Sequence, residues 1–476
     1  MDKLDNVNID TLSGKSNNNG ICYKIKNNKI MFIIIIVSCT VVIAVAITLI
    51  VLLTRKNKYD DGGKTPETNF YGCMCDAGSS STRVSVYTWP QRKPNSIPVI
   101  SEKGRESTNP GMHKKNENEI KDAMNTLISF CRNKINEVSN NKAVLSNVNF
   151  YLKATAGMRS ISVEEQNKKL DVIRKTIRAS DLKFLNDSWA KVITGSEEGQ
   201  FGWITGNYLN RILFENEKAG KIATTPHGSI DLGGYSLEIT FTTNEEIREH
   251  KIRLALNNIT YNLYSYSFQN YGQNKFHDAL IEYFINSKGS EESDNINIPC
   301  YLTGYNESYV FKGKNYKLIG DANVQECRES ISSLMNINKE EEMSMNNTYQ
   351  PKIPEDMKFY GISGLYWIAN FFKLADDNYH APSEFLSAAE KFCTKNWDDA
   401  VKEYREDVEI NYLKDYCISG NYVYYFLAEG FKIPKDKKLI NFPDKINGVE
   451  VSWTLGAMSY EIGLQPLNAA KYYIDY

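Results

Sequence analysis

The stretches DAGSSSTRVSVY (76–87) and DLGGYSLEITF (231–241) decide the fold, because they are one motif written twice. Each opens on an aspartate, places a glycine two positions later, passes through small residues and serine, and runs on into alternating apolar residues. FYGCMC (70–75) leads into the first and SI (229–230) into the second, so both read as strand, tight turn, strand. A hairpin repeated this way implies two related lobes facing one cleft.

Such turns suit phosphate. Glycine lets the backbone approach closely and leaves successive N–H groups uncovered as donors, and serine hydroxyls add donors without bulk. Asp76 and Asp231 then stand where one carboxylate from each lobe can hold a divalent cation, directly or through its waters. Between the loops lies ITGSEEGQFGWITGNYL (193–209), whose paired Glu197 and Glu198 offer a base for an attacking water. No Walker, kinase, Rossmann or G-x-S-x-G pattern occurs, so other nucleotide folds and covalent catalysis are not supported.

Elsewhere the pattern is that of a globular protein. The 476 residues are too many for one ordinary core, and 42% apolar with 24% charged content fits folded lobes. A net charge of −2 argues against a nucleic-acid partner held through its phosphates. Apolar Ile120, Met124, Leu127, Ile128 and Ile135 share one face of a helix expected over 117–138. The segment 90–110 reads as loop, and VEVSWTLGAMSY (449–460) as strand or helix.

The N-terminus departs from this. Residues 30–53 (IMFIIIIVSCTVVIAVAITLIVLL) carry no charge. As a helix they reach roughly 36 Å, enough to cross a bilayer about 30 Å thick. The expected layout is a cytosolic tail (1–29), an uncleaved transmembrane anchor (30–53) and a charged, Gly/Pro-containing stalk (54–68). Lysines on both sides leave orientation undecided by charge. Sequons at Asn186, Asn258, Asn306 and Asn346 all lie after the span. So do seven of the nine cysteines: Cys73, Cys75, Cys131, Cys300, Cys327, Cys393 and Cys417. These offer no zinc pattern, and an oxidising lumen with disulfides of unassigned connectivity is the better reading. A type II single-pass protein follows, with its catalytic mass lumenal or extracellular.

Taken in order, DAGSSSTR, ATAGMR (154–159), SEEGQFGWITGNYL, DLGGYSLEI and FYGISGLYWIANFF (359–372) resemble the five apyrase regions of the nucleoside triphosphate diphosphohydrolases. Further likeness runs through SFQNYG (267–272), CRESI (327–331), TYQP (348–351), YCISGNYVYYFLAEGF (416–431) and SWTLGAMSY (452–460). It spans nearly everything from Phe70 onward. The resemblance implies an α/β, actin/hexokinase-like fold of two RNase H-like lobes with a catalytic cleft between them. The lobes would be 69–194 with 448–476, and 195–447. It implies Mg2+ or Ca2+ as cofactor and removal of terminal phosphate from nucleoside di- and triphosphates.

Carried over motif by motif, Glu198 is the general base, and Asp76 and Asp231 organise the hydrated metal. Ser79, Ser80, Ser81 and Thr82, with Gly233, Gly234 and Tyr235, contact phosphate. Thr155, Ser236 and Glu238 position the attacking water, and Arg159 has a structural or phosphate-adjacent part. Tyr366, next to Trp367, and Tyr422 would clamp the base. Disulfides Cys300–Cys327 and Cys393–Cys417 are implied by the same analogy, with Cys73, Cys75 and Cys131 unassigned.

Two departures stand out. The fourth region usually carries glutamine where this chain has Glu238, while in the phosphate loops Ser81 stands where many relatives have histidine or glycine and Tyr235 replaces the usual small residue. RVSVYTWP (83–90) and SWTLGAMSY resemble the Golgi and lysosomal UDPase branch, which implies UDP and GDP as substrates and Golgi over cell surface. No apolar run follows SWTLGAMSY, so a single N-terminal anchor is expected, and homo-oligomers are compatible with the resemblance. Two other readings compete: an exopolyphosphatase-like hydrolase on the same fold, and a non-catalytic nucleotide-binding membrane protein.

Overall fold

The computed structural model describes residues 69–90, 96–256, 259–288 and 294–464. The expected tail, span and stalk lie outside the described residues, as does Asn258. Among the described residues no helix is long and apolar enough to cross a membrane.

The first repeat forms the hairpin β1 (Phe70–Ala77) and β2 (Thr82–Trp89), with Asp76 opposite Arg83. β3 (Ser101–Thr108) pairs antiparallel with β2, while β4 (Asn149–Ala154) and β5 (Ala190–Val192) add in parallel beyond β1, giving the order β3-β2-β1-β4-β5. Alternation along β1 divides its side chains between two cores. Cys73, Cys75 and Ala77 join Val84 and Val86 under helices α1 (Glu117–Ser139) and α2 (Val163–Arg178), whereas Met74 faces a second cluster with Tyr87 and Trp89. The expected apolar stripe of α1 is the face it buries, and its N-terminus carries a reciprocal Asn116/Glu119 capping box.

The second repeat forms β6 (Gly228–Leu232) and β7 (Ser236–Thr242), and its sheet continues through β8 (Lys251–Leu256) and β9 (Ile259–Gln269). After a small separate sheet of β10 (Asn295–Ile298), β11 (Asn306–Phe311) and β12 (Lys314–Gly320), the chain returns with β13 (Phe359–Ser363) and β14 (Ile440–Asn441). Both pair in parallel beyond β6, giving β14-β13-β6-β7-β9-β8. Apart from the extra edge strand β8, this is the order of the first sheet. The duplication legible in the two hairpins therefore extends to whole sheets.

Helix α3 (Gly195–Leu209) is the spine between them. It packs across β6, β7 and β9, and against α8 (Trp453–Ser459), which in turn contacts β1. Glycine permits both crossings. A Cβ on Gly199 would lie 2.5 Å from Thr240 Oγ1, and one on Gly456 would lie 2.0 Å from the Phe201 carbonyl oxygen.

The remaining helices used below are α4 (Gln273–Lys288), α5 (Gly364–Phe371), α6 (Pro382–Cys393) and α7 (Tyr416–Tyr424). Cys300–Cys327 and Cys393–Cys417 are disulfide-bonded as the analogy implied, while Cys73, Cys75 and Cys131 are free and buried. The segment expected to be loop contains β3. Its residues SEKGREST lack apolar alternation because it is an edge strand, held by backbone pairing to β2 with polar side chains outward.

Candidate active site

The two loops meet tip to tip. A Cβ added to Gly234 would lie 2.7 Å from Ser79 Oγ and 3.6 Å from Ser80 Oγ. Ser79 is buried, Ser80 exposed, and Ser81, Gly233, Gly234 and Tyr235 half-buried; Thr82 is fully buried, its hydroxyl without a protein partner. α4 begins directly behind the second loop, where the Gly233 carbonyl accepts from Gln273 N and the Gly234 carbonyl from Asn274 N and Lys275 N.

α3 separates the paired glutamates by geometry. Glu197 is the third residue of a Thr194 capping box and accepts from Lys191 Nζ at 2.6 Å, so its role is structural. Glu198, one step round the helix, is buried and accepts from Arg159 Nη2 at 3.0 Å. The same nitrogen donates to Ser236 Oγ at 3.2 Å and lies 3.6 Å from Glu238 Oε1, while Arg159 Nη1 donates to the Ile193 carbonyl. Arg159 thus joins the third apyrase-like region to the fourth. Thr155 begins the turn that carries it and donates through its amide to the Ala77 carbonyl, next to Asp76.

Four carboxylates cluster here, and Arg159 pairs with two of them, Glu198 and Glu238. Burial and the neighbouring Glu198 charge push Asp76 up to about 8, with Asp231 adding to the effect against Arg83. Burial and Glu198 likewise push Asp231 up to about 7, against a hydrogen bond from Ser363. Burial raises Glu198 too, opposed by Arg159. Glu238 is raised as well, because it is buried, faces Glu198 and lies directly across the β6/β7 ladder from Asp231. Its Oε1 accepts from Ser267 Oγ at 2.7 Å. Were it protonated, Glu238 would have a hydroxyl to donate, as the amide of glutamine has.

Asp76 Oδ1, Asp231 Oδ2 and Glu238 Oε2 are buried without a hydrogen-bond partner. Such oxygens are costly unless a donor or cation meets them. Among the described residues no three Asp, Glu, His or Cys side chains form a direct metal cage. Asp76 and Asp231, one from each repeat, fit the role of holding a hydrated divalent ion through its waters.

The expected base clamp needs correcting. Tyr366 is half-buried beside Trp367, which is 64% exposed, their rings 5.0 Å apart. Tyr422 is fully buried, stacks flat on Phe276 at 3.9 Å, and donates to the Tyr271 carbonyl. It is a core ring, because α7 turns Tyr422 inward together with Cys417, Ile418 and Asn421. Of the two rings expected to clamp the base, Tyr366 is the one with surface open to solvent, and its neighbour Trp367 is more exposed still. The three described sequons divide: Asn306 and Asn346 are exposed, while Asn186 is half-buried with its side chain accepting from Ser188 N and Oγ.

Sequence reading missed Ser267 and Ser363, and gave Arg159 no definite partner. The two serines stand in SFQNYG and FYGISGLYW, segments singled out only for their likeness. A serine on a strand beside a carboxylate is a signal, but only once the strand order is known.

The GDA1/CD39 (nucleoside phosphatase) family matches residues 63–470. The chain belongs to this family. Among its relatives, "Probable apyrase 3" of Arabidopsis thaliana is 30% identical over 419 residues, covering 82% of each chain. "Ectonucleoside triphosphate diphosphohydrolase 3" of Mus musculus is 28% identical over 418 residues, covering 82% of this chain and 77% of its own. The crystal structure of nucleoside triphosphate hydrolases from Neospora caninum superposes with a TM-score of 0.64 at 13% identity, covering 87% of this chain and 96% of that one. That likeness establishes the fold. In family terms, the apyrase-type resemblance read from the five motifs is correct, and the chain is a nucleoside phosphatase by membership.

Proposed function

We propose that this protein hydrolyses the terminal phosphate of nucleoside di- and triphosphates, with UDP and GDP as preferred substrates, in a divalent-cation-dependent reaction. The observation that carries this reading is the Glu198–Arg159–Ser236 contact, set between two aspartate-bearing loops whose buried oxygens lack partners. Glu198 accepts the proton of a water held between its carboxylate, Thr155 and Ser236, and the water oxygen attacks the terminal phosphorus in line as its bond to the bridging oxygen breaks and the shortened nucleotide leaves. Backbone N–H groups of the two loops, with Ser79, Ser80 and Ser81, receive the phosphate oxygens. Arg159 fixes the direction of the Glu198 carboxylate, and Glu238 helps position the water. Asp76 and Asp231 would hold Mg2+ or Ca2+ through its waters, and the chemistry the ion supplies there is charge neutralisation on the phosphate chain.

Tyr366 and Trp367 form the platform for the base, and stacking there is tolerant of base identity. That platform favours a nucleotide over inorganic polyphosphate, which has no ring to stack. Two disulfides suit an oxidising compartment, and with the apolar run 30–53 they support a type II protein of the secretory pathway, Golgi over cell surface. Asn306 and Asn346 are the sequons best placed for glycans, and the crossing of α3 and α8 between the sheets supports lobe boundaries near 195 and 448.

The test is phosphate release by the full-length protein in detergent, against UDP, GDP, ADP, their triphosphates and polyphosphate, with and without EDTA. Release from nucleotides that EDTA abolishes is expected. Release from polyphosphate alone selects the exopolyphosphatase reading, and nucleotide binding without release selects the non-catalytic one.

A further inference from the structure

Successive residues of the second loop face different parts of the site. Ser236 points its hydroxyl at Arg159 and the carboxylates, whereas Tyr235 reaches across to the first repeat. Its phenol oxygen lies 3.4 Å from His113 Nε2, and the two rings meet edge to face, centroids 5.4 Å apart. His113 cannot simply retreat: it backs onto Gly157, where a Cβ would already lie 2.7 Å from His113 Nδ1 and 2.9 Å from Ser79 Cα. On the other side, the Lys275 ammonium sits 4.7 Å over the Tyr235 ring. The backbone of Tyr235 is equally fixed. Its carbonyl accepts from Asn270 N, and a Cβ on Gly272 would lie 2.3 Å from its amide nitrogen.

A tyrosine braced on three sides beside Gly234 and Ser79 is a wall on the phosphate cradle. His113 adds bulk more than charge, since burial with Lys114, Lys169 and Lys275 nearby holds it down at about 4 and neutral at pH 7. Resting on the reading of the cleft as a nucleotide hydrolase, we propose that Tyr235, backed by His113 and Lys275, is the specificity-determining residue that favours diphosphates over triphosphates. With the terminal phosphorus held at the water on Glu198, a triphosphate has one more phosphate to seat along the cradle, and the ring takes up room there. Removing the ring both opens that space and uncovers the Lys275 ammonium, a partner for the added charge.

The experiment compares kcat/KM for UDP and UTP in wild type and in Tyr235→Ala, Tyr235→Phe, His113→Ala and the Tyr235→Ala/His113→Ala double variant. Tyr235→Ala should raise the UTP:UDP ratio about tenfold, or about 1.4 kcal/mol of discrimination. Tyr235→Phe, which keeps the ring, should leave the ratio at the wild-type value. His113→Ala should move it in the same direction as Tyr235→Ala, and the double variant should add little, because both remove one wall. His113→Ala also stands alone as a test if Tyr235→Ala does not fold. An active wild type whose ratio is unchanged in both alanine variants overturns the wall alone. A wild type that releases phosphate from neither nucleotide overturns the hydrolase reading and the wall with it.

Discussion

Arg159 and the carboxylates around it decide what the site can do. Replacing Glu198 by glutamine keeps its shape and removes the base, so turnover should fall ~10²–10⁴-fold. Arg159 opposes the burial that raises Glu198. In Arg159→Ala the base should stay protonated to higher pH, and the acidic limb of the pH–rate profile should move upward; an unmoved limb would detach Arg159 from the base. If Glu238 acts as a protonated donor, Glu238→Gln should hold its rate within about threefold of wild type, because the amide supplies the same donor. A large loss of rate would mean that Glu238 acts ionised. These roles were partly legible in the sequence. The motif named Glu198, Asp76 and Asp231, but the choice between Glu197 and Glu198 is a matter of helix phase, settled by the Thr194 capping box. Tyr422 was misread for a related reason: a tyrosine in an aromatic-rich helix carries no mark of which side faces the core.

Among the elements, the hairpins were the most legible and β3 the least. A turn that needs glycine and serine announces itself locally, whereas an edge strand of polar residues is held only by its neighbour's backbone. The strongest constraint on an element is the crossing of α3 and α8, where Gly456 brings the backbones into contact. Gly456→Ala puts a methyl group where the Phe201 carbonyl stands and should destabilise the protein by about 1–3 kcal/mol, the usual cost of overpacking. Thermal unfolding would read it as a lowered Tm, and an unchanged Tm would show that the crossing yields. α5 makes the opposite kind of prediction. Trp367→Ala, on an exposed ring, should raise KM for nucleotides with little change in Tm; an unaltered KM would remove the platform.

For the whole molecule, the clustered carboxylates link stability to pH and cation. Asp76 and Asp231 give up their protons near 4 when unfolded, but only near 8 and 7 when folded. Between those values the folded state binds more protons, so the cation-free protein should lose stability as pH rises from about 4 to about 8. Mg2+ or Ca2+ should restore it, increasingly so toward pH 8. Tm measured against pH with EDTA and with cation would show two diverging curves; parallel curves would contradict a cation at the aspartates. The duplication that builds this site could be seen in two short loops, but the shared strand order and the arginine paired with both Glu198 and Glu238 emerge only when both sheets are folded around α3. The central claim is that Glu198, held by Arg159 between the loops, drives hydrolysis. It is tested most directly by phosphate release from UDP, comparing wild type with Glu198→Gln under saturating cation, both shown folded by Tm. Release by wild type that falls at least about 100-fold in the variant is the predicted result; equal release by the two proteins would contradict it.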